Sequence, residues 1–438
     1  MLIRNVLVAI RHISVDVQLE QTKLEPMPKS AKKESYNDRV CAKCMGHRHL
    51  CGIKPCPILI RAKAQARIDD AFTGTNLSGA SPPSVFVGES GYPKVLAGPL
   101  VPPLRSDEAK FMERPDHWLT KTIDEILSLR FSLVRTKKYI PVTAASDPTR
   151  ELAETQTLAL SEAPIVSEAT LLRRPQFTSV FSDVTLPIGP SAPLRSFHLE
   201  DNPTVPKVVD RVTSDTDLLA VTGVKDLFDG GIRLEHISRL LSVGTLGQKT
   251  TRRLVPTKWS ITATDDIIGK QLQKQVLRNR WINDYRVSID HALGNTVALL
   301  FLPTGWQFEA MESWLGGLKP PIITDHEWFK GRKTYARDVA GAYYATKLPA
   351  LEYLDSIRRQ AGVLVFMEID PQHWVPLGVW RFREIAKRAL ETTVKSFASL
   401  DEALGEIANH LRIPMHRWLE ASKLYPEILN QTKLTDFM

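Results

Sequence analysis

All four cysteines of this chain lie in one stretch, Cys41-Ala-Lys-Cys44-Met-Gly-His-Arg-His-Leu-Cys51-Gly-Ile-Lys-Pro-Cys56. The spacing C-x2-C-x6-C-x4-C lets a short segment surround a tetrahedral ion with four thiolates, as structural zinc requires. Four thiolates leave no open coordination position for water, so the predicted ion is structural and not catalytic. The sequence therefore predicts a zinc knuckle whose ligands are Cys41, Cys44, Cys51 and Cys56.

Two alternatives to this ligand set stay open. Two nested disulfides would fit the same spacing, but disulfides are typical of secreted chains, and the sequence has no secretory features. His47 and His49 lie inside the loop and are able to replace one thiolate, although solvated or phosphate-contacting side chains are the simpler interpretation. Thiols clustered in one place are typical of a reducing compartment, so we expect a cytoplasmic protein.

The composition favours a polyanionic partner. The 438 residues include 57 basic and 49 acidic side chains, which gives a net charge of +8 and a pI near 9.2. Such a surplus favours nucleic acid first and anionic membranes second. No apolar run approaches the roughly 20 residues that a membrane-spanning helix needs, so we expect no membrane span.

The pattern of apolar residues predicts helices and strands mixed along the chain. Helices are predicted over 117–134, from Pro256 to about Leu277, over 340–361 and over 380–390. Strands are predicted within 165–213, including Lys207–Val212, and over Val363–Ile369. A hairpin is predicted around Leu293-Gly-Asn295. The expected fold is therefore α+β (mixed α/β). A large N-terminal lobe carries the zinc knuckle, and a smaller C-terminal α/β lobe follows.

The predicted domain limits follow these changes in pattern. They are a possibly disordered tail over 1–37, an N-terminal domain over 38–280 with the knuckle at 41–56, a C-terminal domain over 281–427, and a tail over 428–438.

The segment from Lys249 to Arg280 is the best nucleic-acid candidate. It contains eight Lys or Arg residues against two Asp residues, a pattern that favours a phosphate backbone as partner. The predicted phosphate contacts are Arg252, Arg253 and Lys258, and Trp259 is predicted to stack on a base. In the alternative interpretation, Trp259 is a core residue and the lysines form an ordinary solvated surface.

Asp265 and Asp266 are the candidate catalytic residues. A metal-dependent nuclease needs carboxylates that hold Mg²⁺ or Mn²⁺ beside the scissile phosphate. Neighbouring residues on a helix point about 100° apart, so only one of the two would bind the metal directly, and Asp284, Asp290 and His291 are candidates to complete the site. The alternative is that both carboxylates lie near a helix start and only stabilise its dipole.

A glycine turn follows the short apolar run Ser84-Val-Phe-Val-Gly88. Its continuation, Glu89-Ser-Gly91-Tyr-Pro93, would bring backbone N–H groups to a phosphate, although it lacks the lysine and hydroxyl of a P-loop. A nucleotide pocket formed with Lys249–Trp259 is therefore a third, weaker hypothesis beside a nuclease and a non-catalytic adaptor.

The last eight residues, Gln431-Thr-Lys-Leu434-Thr-Asp-Phe437-Met438, match Q-x-x-[LIM]-x-x-[FY]-[FYW] except that methionine stands at the final position. A short helical turn would place Leu434 and Phe437 in one apolar pocket, and Gln431 would fix the register. This pattern is the clamp-binding motif of proteins that bind the sliding clamp PCNA.

Several of these segments together carry a family resemblance. They are the cysteine knuckle, Ser78-Gly-Ala-Ser-Pro-Pro-Ser-Val-Phe-Val-Gly88, Leu254-Val-Pro-Thr-Lys-Trp-Ser-Ile-Thr-Ala-Thr-Asp-Asp266, Gly341-Ala-Tyr-Tyr-Ala345 and the terminal motif. The chain resembles the archaeal Nre family of DNA repair factors over about residues 38 to 438. The resemblance implies a cytoplasmic archaeal protein that works with PCNA in DNA repair, with the zinc signature at the four cysteines and the clamp motif at Gln431, Leu434 and Phe437. It implies no particular catalytic mechanism.

Overall fold

The computed structural model describes residues 44, 56, 59, 63, 66, 74–102, 107–176, 185–315, 319–370, 377–392 and 394–430. Helices and sheets alternate along these residues, which confirms the predicted α+β class. Cys44 is buried and Cys56 is half-buried, while Cys41, Cys51 and the terminal motif lie outside the described residues. The zinc knuckle and the clamp-binding tail therefore stay predictions.

The first half of the described chain builds a six-stranded sheet in the order β1-β5-β6-β4-β3-β2. Its strands are β1 (Asn76–Ser81), β2 (Val85–Val87), β3 (Lys94–Val101), β4 (Val134–Pro141), β5 (Ile165–Leu171) and β6 (Ser191–Leu199). Only the pair of β4 and β6 is parallel. Helices α1 (Ile123–Phe131) and α2 (Arg150–Leu160) connect these strands. Helix α1 is shorter than the predicted helix, because Thr122 and Glu125 form a capping box that fixes its start.

Four further helices link the two sheets. They are α3 (Lys207–Ser214), α4 (Ala220–Asp229), α5 (Leu234–Ser242) and α6 (Thr257–Val276). Helix α6 follows Pro256 and ends at Val276, one residue before the predicted end at Leu277. The predicted strand Lys207–Val212 is wrong, because this segment lies in α3. Val209, Val212 and Thr213 are buried together at helical spacing, so tertiary packing overrides the β preference of these branched residues.

The second sheet has the order β11-β10-β13-β9-β8-β14, and a separate two-stranded ladder joins β7 to β12. The strands are β7 (Arg280–Trp281), β8 (Tyr285–Ala292), β9 (Asn295–Leu302), β10 (Gln307–Trp314), β11 (Ile322–Glu327), β12 (Arg359–Gln360), β13 (Gly362–Ile369) and β14 (Lys395–Phe397). Leu293 and Gly294 both have positive φ and form the two-residue turn of the predicted hairpin, which is confirmed. Strand β13 is buried along all eight residues, as predicted.

Helices cover both faces of this second sheet. Helices α7 (Gly341–Ser356) and α8 (Trp380–Thr392) pack with α6 against one face, on a core that includes Leu299, Phe301 and Val365. Helices α9 (Leu400–Ala408), α10 (Met415–Ala421) and α11 (Tyr425–Asn430) cover the other face, where Leu300 and Phe366 point. Among the described residues, no helix is both long and apolar enough to cross a bilayer.

Two buried carboxylates fix the C-terminal helices to the sheet. Glu309 of β10 accepts hydrogen bonds from the Lys423 and Leu424 backbone N–H groups at 2.8 and 3.1 Å, directly before α11. Glu368 of β13 accepts bonds from the Arg412 and Ile413 N–H groups at 2.9 and 2.7 Å, directly before α10. Each carboxylate satisfies amide groups at the start of a helix, where a negative charge is favourable.

Candidate nucleic-acid interface

An open cleft of about 730 Å³ lies between α6, α7 and the loop over 328–340 that connects β11 to α7. Six cations and two carboxylates line it, which leaves a net charge of +4: Lys270, Lys274, Lys330, Arg332, Lys333, Lys347, Asp266 and Glu327. Aromatic rings share the lining: Trp259, Phe329, Tyr335, Tyr343 and Tyr344. Lysine with interleaved aromatic rings is the combination that single-stranded nucleic-acid sites use.

The loop over 328–340 is held in place by Arg332. Its guanidinium donates to the carbonyls of His326 at 2.9 Å and Tyr335 at 3.1 Å, and it lies 2.9 Å from Asp325. Asp325 also accepts bonds from the Asp338 and Val339 N–H groups, both at 2.8 Å. These contacts fix the loop within the protein itself, so the entropy cost of ordering it on ligand binding would be small.

The mouth of the cleft carries exposed aromatic and basic side chains. Phe329 is 58% exposed and Tyr335 is 43% exposed, and Lys330 and Lys333 stand between them in the sequence. Large exposed apolar groups beside lysines mark interaction surfaces more often than isolated exposed residues do.

The floor of the cleft is polar and buried. The Lys347 ammonium lies 2.6 Å from the Glu327 carboxylate and donates to Gln273 at 3.3 Å. Glu327 also accepts a bond from the Trp306 indole at 3.0 Å. Burial, and then the charge of Glu327, raise the pKa of Tyr343 well above its ordinary value, so this phenol stays protonated at neutral pH.

One wall of the cleft consists of stacked tyrosines. The Tyr335 and Tyr344 rings lie 5.2 Å apart with their planes 30° from parallel. The Tyr344 hydroxyl accepts a bond from the Ala336 N–H at 3.1 Å, which ties the loop to α7. Trp259 lies nearer the start of α6, where its ring packs 5.3 Å from that of Tyr92. Of the residues singled out in the sequence, Trp259 and Asp266 line this cleft.

Asp265 and Asp266 face different surroundings. Asp265 is buried and accepts a bond from the Arg383 guanidinium at 2.5 Å, while Arg383 also lies 3.3 Å from Glu235. Asp266 is half-buried in the cleft and pairs with Lys270 at 2.5 Å. The structure thus brings Asp266 to the cleft and places Asp265 in an interhelix ion pair between α6 and α8. Their predicted catalytic role stays a hypothesis.

Two of the three residues named as additional metal ligands, Asp284 and Asp290, have cationic partners. Asp284 accepts bonds from Arg286 at 3.0 Å, and Asp290 accepts a bond from Arg388 at 2.5 Å. Within the described ranges, no group of three His, Cys, Asp or Glu side chains is arranged to hold a metal ion.

The predicted phosphate contacts Arg252, Arg253 and Lys258 lie before or at the start of α6 and do not line the cleft. Arg252 donates to the carbonyls of Gly247 at 2.9 Å and Thr213 at 2.9 Å, and burial lowers its pKa. Arg253 donates to the Arg252 carbonyl at 2.7 Å. Lys258 is exposed, 3.8 Å from Glu89. Of the three, Lys258 is the cation presented to solvent.

The glycine turn meets the start of α6. The Val87 N–H donates to the Thr257 hydroxyl at 2.9 Å, and Gly91 has a φ of 86°, which favours glycine. Beside it lies a small cavity of about 90 Å³, bordered by Ser84, Arg239 and Arg383 among others. That volume accommodates a few water molecules, but it is small for a nucleotide, whose sites span about 300 Å³ or more.

The sequence interpretation missed the loop over 328–340. Its signal is in the sequence, because the ten residues Trp328-Phe-Lys-Gly-Arg-Lys-Thr-Tyr-Ala-Arg337 contain four cations and three aromatic residues. This interleaving is denser than in the segment from Lys249 to Arg280, and it is the pattern expected of a nucleic-acid surface.

Together, the fold and the cleft define a two-sheet α+β protein with an open, basic, aromatic-lined cleft. The chain belongs to the archaeal Nre family. The N-terminal model of that family (Archaeal Nre, N-terminal) matches residues 50–318, and its C-terminal model (Archaeal Nre, C-terminal) matches residues 327–437. The predicted family resemblance is confirmed.

Curated relatives match over nearly their whole length. The DNA repair protein NreB of Archaeoglobus fulgidus is 36% identical over 404 residues, which cover 91% of this chain and 100% of the relative. The DNA repair protein NreA of the same organism is 34% identical, over 83% of this chain and 92% of the relative. The DNA repair protein NreA of Haloferax volcanii is 32% identical, over 85% and 91% respectively. No solved structure matches this chain.

Proposed function

We propose that this protein is a DNA repair factor that binds DNA in the basic, aromatic-lined cleft between α6, α7 and the loop over 328–340. The cleft is the observation that carries the proposal, because six cations and five aromatic rings converge on it from segments distant in the sequence. The relatives are all named DNA repair proteins, which supports DNA as the polyanion.

The test is DNA binding by fluorescence anisotropy at several salt concentrations. The triple variant Lys270→Ala/Lys330→Ala/Lys333→Ala removes exposed cations of the cleft. Because each phosphate contact releases counterions, we expect weaker binding and a salt slope reduced by about one unit per lysine that contacts a phosphate.

A charge-matched control separates the cleft from general basicity. Lys207→Ala/Lys395→Ala/Lys423→Ala removes the same charge from exposed lysines outside the cleft. Equal weakening of both triple variants would locate DNA elsewhere, and no DNA binding by the unaltered protein would refute the proposal.

In this proposal the protein also docks on the PCNA clamp through Gln431, Leu434 and Phe437. A structural zinc ion, held by the four cysteines, stabilises the N-terminal domain. The match of the last eight residues to the clamp motif supports the first role, and the cysteine spacing supports the second. Tethering to a clamp raises the local concentration at DNA without adding a DNA contact. Archaeal cytoplasm is the expected compartment.

A metal-dependent nuclease is the alternative that a specific observation favours: Asp266 lies in the cleft beside the cations that would hold a phosphate. With Mn²⁺ or Mg²⁺, the protein would then cleave single-stranded, duplex or flapped DNA, and Asp266→Asn would remove this activity while leaving DNA binding in place. A protein that binds these substrates and cleaves none of them is a non-catalytic adaptor.

The nucleotide-binding hypothesis is tested by titration calorimetry with AMP, ADP and ATP.

A further inference from the structure

The floor of the cleft consists of polar side chains that are buried and yet border the open space of the cleft. Gln273, Glu327 and Lys347 are each more than nine-tenths buried, and Tyr343 is fully buried, yet all four line an open cleft. Buried polar groups normally have their hydrogen-bonding capacity used, because burial without a partner removes their bonds to water and gives none in return. The Tyr343 hydroxyl interacts with the Glu327 carboxylate, which raises its pKa, but within the described part of the chain it makes no hydrogen bond of normal geometry. The protein therefore does not use the full hydrogen-bonding capacity of this hydroxyl.

The charges of the floor disfavour a phosphate there. Glu327 neutralises Lys347 at 2.6 Å, and its carboxylate would repel an anion. What the floor offers is a mixture of donors and acceptors: the Gln273 amide, the Tyr343 hydroxyl and the Glu327 carboxylate. A neutral, planar group that carries both donors and acceptors along one edge fits this mixture, as a nucleobase does.

The walls and the rim match the remaining parts of a nucleotide. The stacked Tyr335 and Tyr344 provide an aromatic wall above the floor, suited to the flat face of a base. Exposed Lys270, Lys330 and Lys333 lie around the cleft, where a phosphate stays in water-accessible surroundings. The aromatic wall would contact the face of the base, the polar floor its hydrogen-bonding edge, and the lysines of the rim the phosphate.

From this arrangement we infer that the cleft contains a recess for one unstacked nucleobase, which lies against Tyr335 and Tyr344 and directs its polar edge to Gln273, Glu327 and Tyr343. The inference rests on the proposed DNA binding and names its substrate class, an unpaired base with an adjacent phosphate. In an intact duplex the bases are stacked and paired, so only a single-stranded, bulged or extruded nucleotide reaches such a recess.

A matched pair of probes isolates the base. Two otherwise identical DNA duplexes carry a single-nucleotide bulge, one with a thymine and one with an abasic sugar, so they differ in the base and not in charge. We expect the full-length protein to bind the thymine bulge about tenfold more tightly, since stacking on an aromatic side chain contributes about 1–3 kcal/mol per base. Equal affinity for the two probes would overturn the recess while leaving the proposed DNA binding intact.

Two variants connect the preference to the recess. Tyr335→Ala should remove the difference between the two bulges, so that the variant binds the thymine bulge and the abasic bulge with equal affinity. Tyr343→Phe removes only the hydroxyl beside Glu327 and should reduce the preference without altering the thermal midpoint. Tyr139→Ala, at a 61% exposed ring outside the cleft, is the control that should change neither. An undiminished preference in both Tyr335→Ala and Tyr343→Phe would refute the assignment.

A second arm distinguishes a base in a strand from a free nucleotide. Titration calorimetry with each of the four deoxynucleoside monophosphates measures whether a nucleotide that is not part of a DNA strand binds in the recess. Heat that is lost in Tyr335→Ala would identify a free nucleotide as a ligand of the recess, even if no DNA bound. If neither bulged DNA nor any free nucleotide binds, both the recess and the proposed function are wrong.

Discussion

Asp265 and Asp266 are neighbours in the chain, but their carboxylates pair with cations of different elements: Asp265 with Arg383 of α8, and Asp266 with Lys270 one turn along α6. The first pair is buried between two helices, whereas Asp266 and Lys270 lie on the wall of the cleft. The two residues look equivalent in the sequence, but their expected roles differ. Asp265 is expected to stabilise the fold, and Asp266 is expected to lie beside a ligand bound in the cleft.

Replacement of Asp265 should destabilise the fold strongly. Asp265→Asn leaves the buried Arg383 guanidinium with Glu235 at 3.3 Å as its remaining ion-pair partner in the described part of the chain. Breaking a buried pair by removing one partner costs about 3–5 kcal/mol. Asp266→Asn is the matched control and should change the free energy of unfolding by less than about 0.5 kcal/mol, as for other partly exposed pairs. Urea denaturation of both variants measures this, and equal values would contradict the assignment.

The pH dependence of stability should contain a contribution from Glu384 of α8. Burial, and then repulsion from Glu235, raise its pKa from 4.5 to about 7. Between these two values the unfolded chain releases the proton and the folded protein keeps it, so this group lowers the free energy of unfolding as the pH rises from about 4.5 to 7. Above pH 7 both states are ionised and its contribution stays constant.

The variant Glu384→Gln isolates this contribution, because other titrating groups are common to both proteins. We expect the variant to gain stability relative to the unaltered protein as the pH rises from 5 to 7.5, measured by urea denaturation at constant ionic strength. A stability difference that stays the same over this range would show that Glu384 does not titrate in the folded protein near pH 7.

Loss of one cysteine ligand should remove zinc and folding free energy together. In a structural site the binding free energy of the metal is also folding free energy, so Cys44→Ser should lower both the bound zinc and the thermal midpoint. Metal analysis by mass spectrometry together with a thermal scan checks this. His47→Ala, in the same stretch, should keep the metal. A Cys44→Ser protein without zinc but with an unchanged midpoint would contradict a structural role.

Removal of Gln431–Met438 should abolish clamp association and leave the thermal midpoint unchanged. The single change Phe437→Ala should weaken the association at least tenfold, because a buried aromatic anchor commonly contributes 2 kcal/mol or more to an interface. Thr435→Ala, between the anchor positions, is the control. Co-elution with PCNA on gel filtration measures the outcome, and association of the truncated protein would show that the clamp is contacted elsewhere.

Local patterns were sufficient for several elements. Helix α6 was predicted within a residue of its ends, because Pro256 marks its start and apolar residues recur at helical spacing. The hairpin at Leu293-Gly294 follows from turn chemistry, and β13 from an uninterrupted apolar run. Lys207–Val212 failed because its branched residues also fit a helix once their neighbours bury them.

The cleft was harder to predict because it is a tertiary feature. Trp259 and Asp266 were singled out from α6 alone, but the loop over 328–340 reaches them only because α7 packs along α6. Sequence patterns also do not reveal which cations are already engaged. Arg252 reads as a phosphate contact in the sequence, whereas its guanidinium binds backbone carbonyls in the fold.

The anchoring of the last helices by Glu309 has a structural consequence. Helices of seven and six residues, such as α10 and α11, are too short to persist alone, so their packing on the sheet and the bonds to the carboxylate of β10 hold them in place. Strand β10 lies beside β11, and β11 runs directly into the loop that borders the cleft. Strand β10 therefore both receives the last described helix and pairs with the strand that leads into the cleft.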